Sequence, residues 1–418
     1  MAHEYNSLDI ENKSNSCDTN QTLMPINEAL ALLINNAVKI TETENLPLTK
    51  SYGRILANDL RSSINVPPAD NSSMDGYAVR SSDFNKVEVV LPISQRIPAG
   101  TTGETLKINT VARIFTGAPV PKGADAVVMQ EVCEEVGGGI KISAPVSTGD
   151  NIRRAGEDIF TGDIILKAGT KLRPQDVGLA ASVGISTMSV YKRLRVGIFF
   201  TGDELKEPGE ALNAGQIYNS NRHTLHGLLE SLNCEVIDFG NVADDLDSTK
   251  NAMQEAAKVS DLVMTSGGVS VGEEDYIRIA LEEIGQLDLW SINVKPGKPL
   301  AFGKIENTPF LGMPGNPVSV FATFCIFARP FILQSQGANE ITNNSFKVAV
   351  AFDWGKAGTR NEYIRVSYKN GKLELFPNQS SGVLTSTSWA NGLAFIPAGM
   401  TIKAGELIEF IPFSELLS

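Results

Sequence analysis

The apolar positions change their period along the chain, and each change marks a different kind of structure. From Pro25 to about Thr43 the stretch PINEALALLINNAVKITET repeats apolar residues at helical spacing behind an early proline, which predicts a helix. From about Leu46 to Val190 short Val/Ile runs alternate with Pro/Gly turns, as in INVPPADNSSMDGYAV and VARIFTGAPVPKGADAVVMQ. That texture predicts a β-rich module with irregular connections. At Arg193 the texture changes again. RLRVGIFF, CEVIDFG and DLVMTSGG read as strands, and NRHTLHGLLESL, DSTKNAMQEAAKVS and DYIRIALEEIG read as helices, the second capped by Asp247 or Ser248. LWSINV and PFLGM are further strands, leading to a helix at GNPVS with Asn316 as its cap and Pro317 in its first position. Strands alternating with helices to about Gln336 predict a doubly wound parallel sheet. From Phe346 to Phe413 short strands return, with an Asn370–Gly371 hairpin signal, and predict a small β-barrel or sandwich.

Composition narrows this picture. A chain of 418 residues is too long for one core, so two to four domains are expected. Hydrophobic residues at 42% and charged residues at 20% fit a globular protein and exclude wholesale disorder. No apolar run approaches the roughly 20 residues of a membrane helix. The polar N-terminus, MAHEYNSLDIENKSNSCDTN, reads as a flexible lead-in rather than a secretory signal. Cys17, Cys133, Cys234 and Cys325 form no CxxC pair, which argues against a disulfide framework or a structural zinc site and fits a reducing cytoplasm. A formal charge of −12 without a basic stripe argues against nucleic acid as a partner. An anionic ligand would need a local cluster of cations or backbone donors.

Candidate chemistry gathers at the strand exits, where open parallel sheets bind ligands. RVGIFF is followed by TGDEL, CEVIDFG by Asp244 and Asp245, DLVM by TSGGVSVGEEDY, LWSINV by KPGKP with Lys295 and Lys298, and PFLG by MPGNPVS. Gly202, Gly267, Gly268 and Gly315 let backbone N–H groups approach phosphate closely, and helix N-termini add positive potential. Glu204 and Asp275 would repel phosphate unless Mg²⁺ bridged them. Each piece has a plainer reading. TGDEL serves equally as a strand-to-helix turn, Asp244–Asp245 as a helix lead-in, Glu273 and Glu274 as first-turn acids, and KPGKP as a surface turn. His223 and His226 lie three apart on a helix but lack a third ligand. The convergence on one sheet edge weighs more than any single motif. The β-rich half holds its own odd residues in DNSSMDGYAV, FTGAPVPKGAD and NIRRAGED, which by themselves read as tight turns.

PPADNSSMDGYAV, RIFTGAPVPKGADAVVMQE, NIRRAGEDI, FFTGDEL, GQIYNSN, TSGGVSVGEEDY, KPGKPLAFG, GMPGNPVSV and WANGLAFIP occur in that order over nearly the whole chain after Met24. The ordered set resembles the molybdopterin molybdenumtransferase family, called MoeA in bacteria, with gephyrin and a plant counterpart among its relatives. The resemblance implies a multidomain α/β plus β protein: a molybdopterin-binding domain over 193–336, a C-terminal β-barrel over 337–418, and an elongated N-terminal arm. The arm comprises a β-rich domain over 61–157 and a linking domain from 21–60 with 158–192, after a lead-in over 1–20. It further implies a homodimer whose site lies between the α/β domain of one subunit and the arm of the other. Molybdopterin adenylyltransferase upstream and a molybdoenzyme or cofactor chaperone downstream are the partners to expect.

The implied reaction takes adenylylated molybdopterin and molybdate, assisted by Mg²⁺, and releases AMP and the molybdenum cofactor. Carried over by position, Glu204 and Asp275 match acids near the metal. Thr201, Gly202, Ser220, Asn221, Ser266, Gly267 and Gly268 match the pterin-nucleotide loops. Lys295, Lys298, Ser319 and Arg360 match the oxyanion pocket, with Arg360 chosen over Arg365 in the alignment. Asp75, Thr116 and Asp158 match arm residues needed for activity, and Asp244 an acid at another strand exit. Ser291 departs from the pattern, standing where some bacterial relatives carry a basic residue. The oxyanion residues read equally for molybdate and tungstate, which have almost the same size and charge. Two other functions compete with the enzyme: a non-catalytic pterin carrier or scaffold, as in gephyrin, and a related α/β domain turned to nucleotide hydrolysis. The lysines and acids weigh against the first, and the arm motifs SMDGY and FTGAP against the second.

Overall fold

The computed structural model describes residues 23–84, 89–269 and 276–417. The chain divides into two compact units, one of Met1–Val38, Leu194–Ser335 and Ile341–Ser418, the other of Lys39–Arg193 and Gln336–Glu340.

The first unit contains a six-stranded sheet in the order Glu235–Val242, Arg195–Thr201, Leu262–Ser266, Thr308–Met313, Pro299–Ile305, Gly285–Ser291. The first four strands are parallel, as the alternating pattern predicts. Pro299–Ile305 runs antiparallel to both its neighbours. The sequence reading took its first residues for the end of a turn. Glu306 at φ 55° reverses the chain between Ile305 and Thr308, which leaves room for only a tight hairpin.

Alternate residues point to opposite faces of the sheet. Phe199, Val263, Ala301 and Phe310 pack on one side with Met253 and Ala256 from helix Leu246–Val259 and Ile277, Ala280 and Leu281 from helix Tyr276–Ile284. Phe302, one residue on from Ala301, meets Phe331 edge-on with ring centroids 5.8 Å apart. Both faces are therefore covered, which is what allows these strands to be continuously apolar.

Three expectations need correction. Helix Leu246–Val259 is capped by Asp245, whose carboxylate accepts from Ser248 N at 2.8 Å, and not by Asp247 or Ser248. The N-terminal helix spans only Ile26–Asn35, because the Asn36 side chain donates back to Leu32 O at 2.9 Å and competes with the next helical turn. A run long and apolar enough to cross a membrane does exist, at Pro317–Gln336, with mean hydropathy 1.5. Its most apolar window is 89% buried, so the protein itself supplies the apolar surroundings. This run carries Phe331, the partner of Phe302, and widens to a π-turn at Phe324–Ala328.

A second six-stranded sheet closes into a small barrel. Asn361–Lys369 pairs with Lys372–Leu375, then Phe346–Val350, Leu407–Pro412 and Gly392–Ile396 follow, and Gly392–Ile396 returns to Asn361–Lys369. Asn370 and Gly371 make the expected turn, with φ of 49° and 81°. Val294–Lys295 joins this sheet as an extra strand, parallel to Asn361–Glu362.

The second unit holds a sheet in the order Ala126–Met129, Gly76–Val79, Val111–Ile114, Val90–Ile97, Gly139–Ile142, Cys133–Val136. Tyr77 and Val79 enter one apolar cluster and Ala78 another, so this sheet too is covered on both faces. A smaller core of Leu56, Leu166, Leu172, Ala180, Met188 and Val190 lies where Thr43–Pro47 pairs with Thr187–Tyr191. It includes helix Pro174–Ser182, which the strand-and-turn texture of this region concealed.

Replacing Phe302 with Ala removes its edge-on partner for Phe331 and opens a cavity in a close-packed layer. The cost should be about 3–5 kcal/mol, read as a lowered midpoint for the first urea transition. An unchanged midpoint would contradict the packing described.

Candidate functional site

The parallel register brings three strand ends to one line. Phe200 lies opposite Ser266, and Ser266 opposite Met313. The chain order reverses at Arg195–Thr201, the first strand of this sheet in the sequence, which is flanked by the second and third, so a crevice opens beyond Thr201 and Ser266. A cavity of about 350 Å³ occupies this place, lined among others by Thr201, Glu204, Tyr218, Asn221, Ser266 and Gly267.

One side chain ties its walls together. Asn221, in the first turn of helix Ser220–Ser231, donates from Nδ2 to Ser266 Oγ at 2.9 Å and to Gly315 O at 2.7 Å. Ser266 Oγ in turn donates to Pro314 O at 2.9 Å. Asn221 Oδ1 is buried without a hydrogen-bond partner. The helix itself starts at Asn219, whose side-chain oxygen accepts from Arg222 N at 3.0 Å and whose Nδ2 donates to Asn241 Oδ1 at 2.7 Å.

Glycine is required where the backbone turns past Thr201. Gly267 has φ 102°, and a Cβ there would sit 2.9 Å from Thr201 O. Its neighbour Gly268, at φ 61°, would press Ile277 at 2.8 Å. Gly267 thus presents backbone to the cavity with no side chain between. Opposite them, Leu205–Lys206 pairs with Ile217–Tyr218, which places Ile217 and Tyr218 on the rim. TGDEL therefore leads into a short strand and not into a helix. Arg222 braces this parallel strand pair by binding Glu207 and Asp238, both at 2.8 Å, and these carboxylates raise its pKa, Asp238 most.

A second cavity, of about 380 Å³, is lined by Lys295, Asp353, Trp354, Lys356, Gly358 and Glu362, with Gly355 and Ala357. Lys295 Nζ is 3.0 Å from Glu362 Oε2. Arg360 donates to Val294 O at 3.1 Å. Arg365 is buried, with Nε on Ser386 Oγ at 3.0 Å and its pKa pushed down to about 10 by desolvation. Lys298 is exposed and Ser319 buried in the first turn of the Pro317 helix.

In the second unit Asp75 accepts from Thr116 N at 2.8 Å and from Thr116 Oγ1 at 2.7 Å, which lowers its pKa, the backbone donor contributing most. Asp158 is exposed, its N–H donating to Val66 O at 3.0 Å.

The structure thus gathers Thr201, Glu204, Ser220, Asn221, Ser266 and Gly267 in one cavity, with Gly202 and Gly268 beside them in the chain. Lys295 lines the other. Asp244 is half-buried beside the capping Asp245 and lines neither. Asp275, Glu273 and Glu274 lie outside the described residues. His223 and His226 each face a glutamate, Glu207 and Glu230, at 3.7 Å. Among the described residues no three His, Cys, Asp or Glu side chains gather as a metal site. Sequence reasoning missed Tyr218, Gly382, Leu384 and Glu362. GQIYNSN carried a signal for the first, whereas the others reach their cavities only through tertiary pairing.

Three family models cover most of the chain. The MoeA N-terminal region (domains I and II) matches residues 24–184, a probable molybdopterin binding domain 197–334, and the MoeA C-terminal region (domain IV) 347–413. The Haemophilus influenzae molybdopterin molybdenumtransferase is 40% identical over 404 residues, spanning 94% of this chain and 100% of its own length. The chain belongs to the MoeA family. A Nostoc molybdopterin molybdenumtransferase is 35% identical, with 87% of each protein covered. The crystal structure of the Pyrococcus horikoshii molybdopterin biosynthesis moeA protein covers 94% of this MoeA-family chain and 100% of its own, at TM-score 0.83 and 32% identity. The fold of an α/β domain, β-rich N-terminal region and closed C-terminal barrel is therefore a family property.

Thr116→Ala keeps the backbone donor to Asp75 and removes the hydroxyl. The Asp75 carboxyl should then titrate at higher pH than in the wild type, followed by carbon NMR. Because its folded pKa lies below the unfolded one, the stability it contributes is present above the unfolded value and lost as pH falls. An unshifted titration in the variant would remove the hydroxyl from this account.

Proposed function

We propose that this MoeA-family chain inserts molybdate into adenylylated molybdopterin, releasing AMP and forming the molybdenum cofactor. The observation that carries the proposal is the cavity at the sheet's reversal point, whose walls offer glycine backbone, hydroxyls and two amides and, among the described residues, no lysine or arginine. Apart from the Glu204 carboxylate, such a lining suits a nucleotide phosphate held by neutral dipoles, with the N-terminus of helix Ser220–Ser231 adding positive potential. The relatives named molybdopterin molybdenumtransferase support the same reaction.

In this reading Thr201, Ser220, Asn221, Ser266 and Gly267, with Gly202 and Gly268, hold the pterin-nucleotide. Asn221 Oδ1 would accept a proton donor from it. Lys295, Lys298, Arg360 and Ser319 hold molybdate, a dianion that must approach an already anionic substrate. Cations fixed beforehand lower the cost of that approach without reorganising during the reaction. Glu204 on the cavity wall fits Mg²⁺, which takes one or two carboxylates and completes its shell with phosphate oxygens. Asp275 is its companion from the sequence reading. When bound, the metal would offset phosphate charge as AMP leaves. Asp75, Thr116 and Asp158 are exposed in their own unit, and we assign them to the site of a second copy in a homodimer.

Molybdopterin adenylyltransferase would supply the substrate, and a molybdoenzyme or cofactor chaperone would take the product. We place the chain in the cytoplasm, a reading supported by cysteines that form no CxxC pair.

The test is AMP release from adenylylated molybdopterin with Mg²⁺, with and without molybdate. Release should require molybdate and yield a product that activates an apo-molybdoenzyme. Tight binding without release would indicate a carrier instead. Asn221→Ala leaves Ser266 and Gly315 short of a donor, and should raise the KM for the nucleotide about tenfold or more.

A further inference from the structure

Lys295 does not stand alone in its cavity. Val294–Lys295 pairs in parallel with Asn361–Glu362, and the register sets Lys295 against Glu362. The ammonium lies 3.0 Å from Glu362 Oε2, with the Glu362 side chain only 9% exposed against 47% for Lys295. A carboxylate so buried needs a partner. Its other oxygen has room only because residue 358 is glycine: a Cβ there would sit 2.5 Å from Oε1. On the same strand pair Arg360 donates to Val294 O at 3.1 Å, so the backbone carrying Lys295 is held as well.

We propose that Glu362 is a positioning residue for the oxyanion pocket: its buried carboxylate fixes the Lys295 ammonium where molybdate is received. This rests on the proposed role of Lys295. A free lysine stem would lose its rotamer freedom each time the oxyanion bound, whereas a stem already tethered has given up that freedom on folding. The barrel strand that carries Glu362 thereby acts on the α/β chemistry without touching substrate. Removing the carboxylate also frees positive charge, which by itself would tighten anion binding. Lys295 is half-exposed, so solvent and physiological salt screen that gain, and the loss of placement dominates.

Substituting Lys295 itself would strand the buried carboxylate and mix folding with binding, so the test acts on its partner. Wild-type AMP release is first measured against molybdate at about 0.15 M ionic strength; failure to depend on molybdate would overturn the functional reading itself. With that dependence in hand, Glu362→Gln should raise the KM for molybdate about tenfold, leaving the nucleotide KM unchanged and kcat within about twofold. Glu362→Asp should recover part of the loss. Gly358→Ala keeps the charge but crowds Oε1, and should raise the molybdate KM in the same direction with an unchanged melting temperature. It serves as the deciding variant if Glu362→Gln folds poorly. An unchanged or lowered molybdate KM in well-folded variants, or an equal loss for both substrates, overturns the proposal.

Discussion

Asn221 is the point on which the cavity at the strand ends depends. Three stretches of chain leave the sheet after Thr201, Ser266 and Met313, and nothing in a parallel register alone decides how they curl. The Asn221 amide spans two of them by donating to Ser266 Oγ and Gly315 O, and Ser266 extends the link to Pro314 O. Asn219, two residues earlier, fixes the helix start by capping it. One turn of helix thus positions the cavity wall and supplies the N-terminal potential an anion would feel. The geometry also explains the amide. A carboxylate of the same size would have no proton to donate to Gly315 O, and a hydroxyl would not span both acceptors.

The same logic recurs in the second cavity with charges in place of amides. There the partners come from neighbouring strands of the barrel sheet, Val294–Lys295 and Asn361–Lys369. Arg365, five residues beyond Arg360, shows what the barrel does with a cation it keeps for itself. It is buried, bonded to Ser386 Oγ and Ser380 O, and its side chain supports the segment that brings Gly382 and Leu384 to the cavity at the strand ends. The two arginines look alike in AGTRNEYIRV. Burial separates them.

Much of this was legible in the residue pattern, for a physical reason. RVGIFF and DLVMTS are continuously apolar because their sheet is covered on both faces, and the polar residues that follow them mark where the cover ends. Strand exits could therefore be read without knowing strand order. Whatever depends on pairing between distant segments was not legible. Glu362 looks like one acid among many until the register sets it against Lys295. Pro299–Ile305 follows KPGKP so closely that the turn signal masked it. Asp245 was passed over as a cap because Asp247 and Ser248 offered equal chemistry, and only backbone geometry distinguishes them. Helix Pro174–Ser182 was hidden by the turns around it, and its start relies on Asp176 accepting from Arg173 N at 2.8 Å.

A chain with formal charge −12 that gathers anionic substrates must work against its own average field. The two cavities meet this demand differently. The first carries no lysine or arginine among the described residues, and beside the Glu204 carboxylate offers fixed dipoles of short range whose strength depends on alignment. Phosphate is well matched to that arrangement, because its oxygens can take backbone donors individually. The second carries Lys295 and Lys356 but sets Glu362 and Asp353 around them, so the formal charges of its lining cancel. Strong cations left unopposed there would hold any passing anion and release it slowly. Opposing them with a buried carboxylate trades raw attraction for a defined ammonium position.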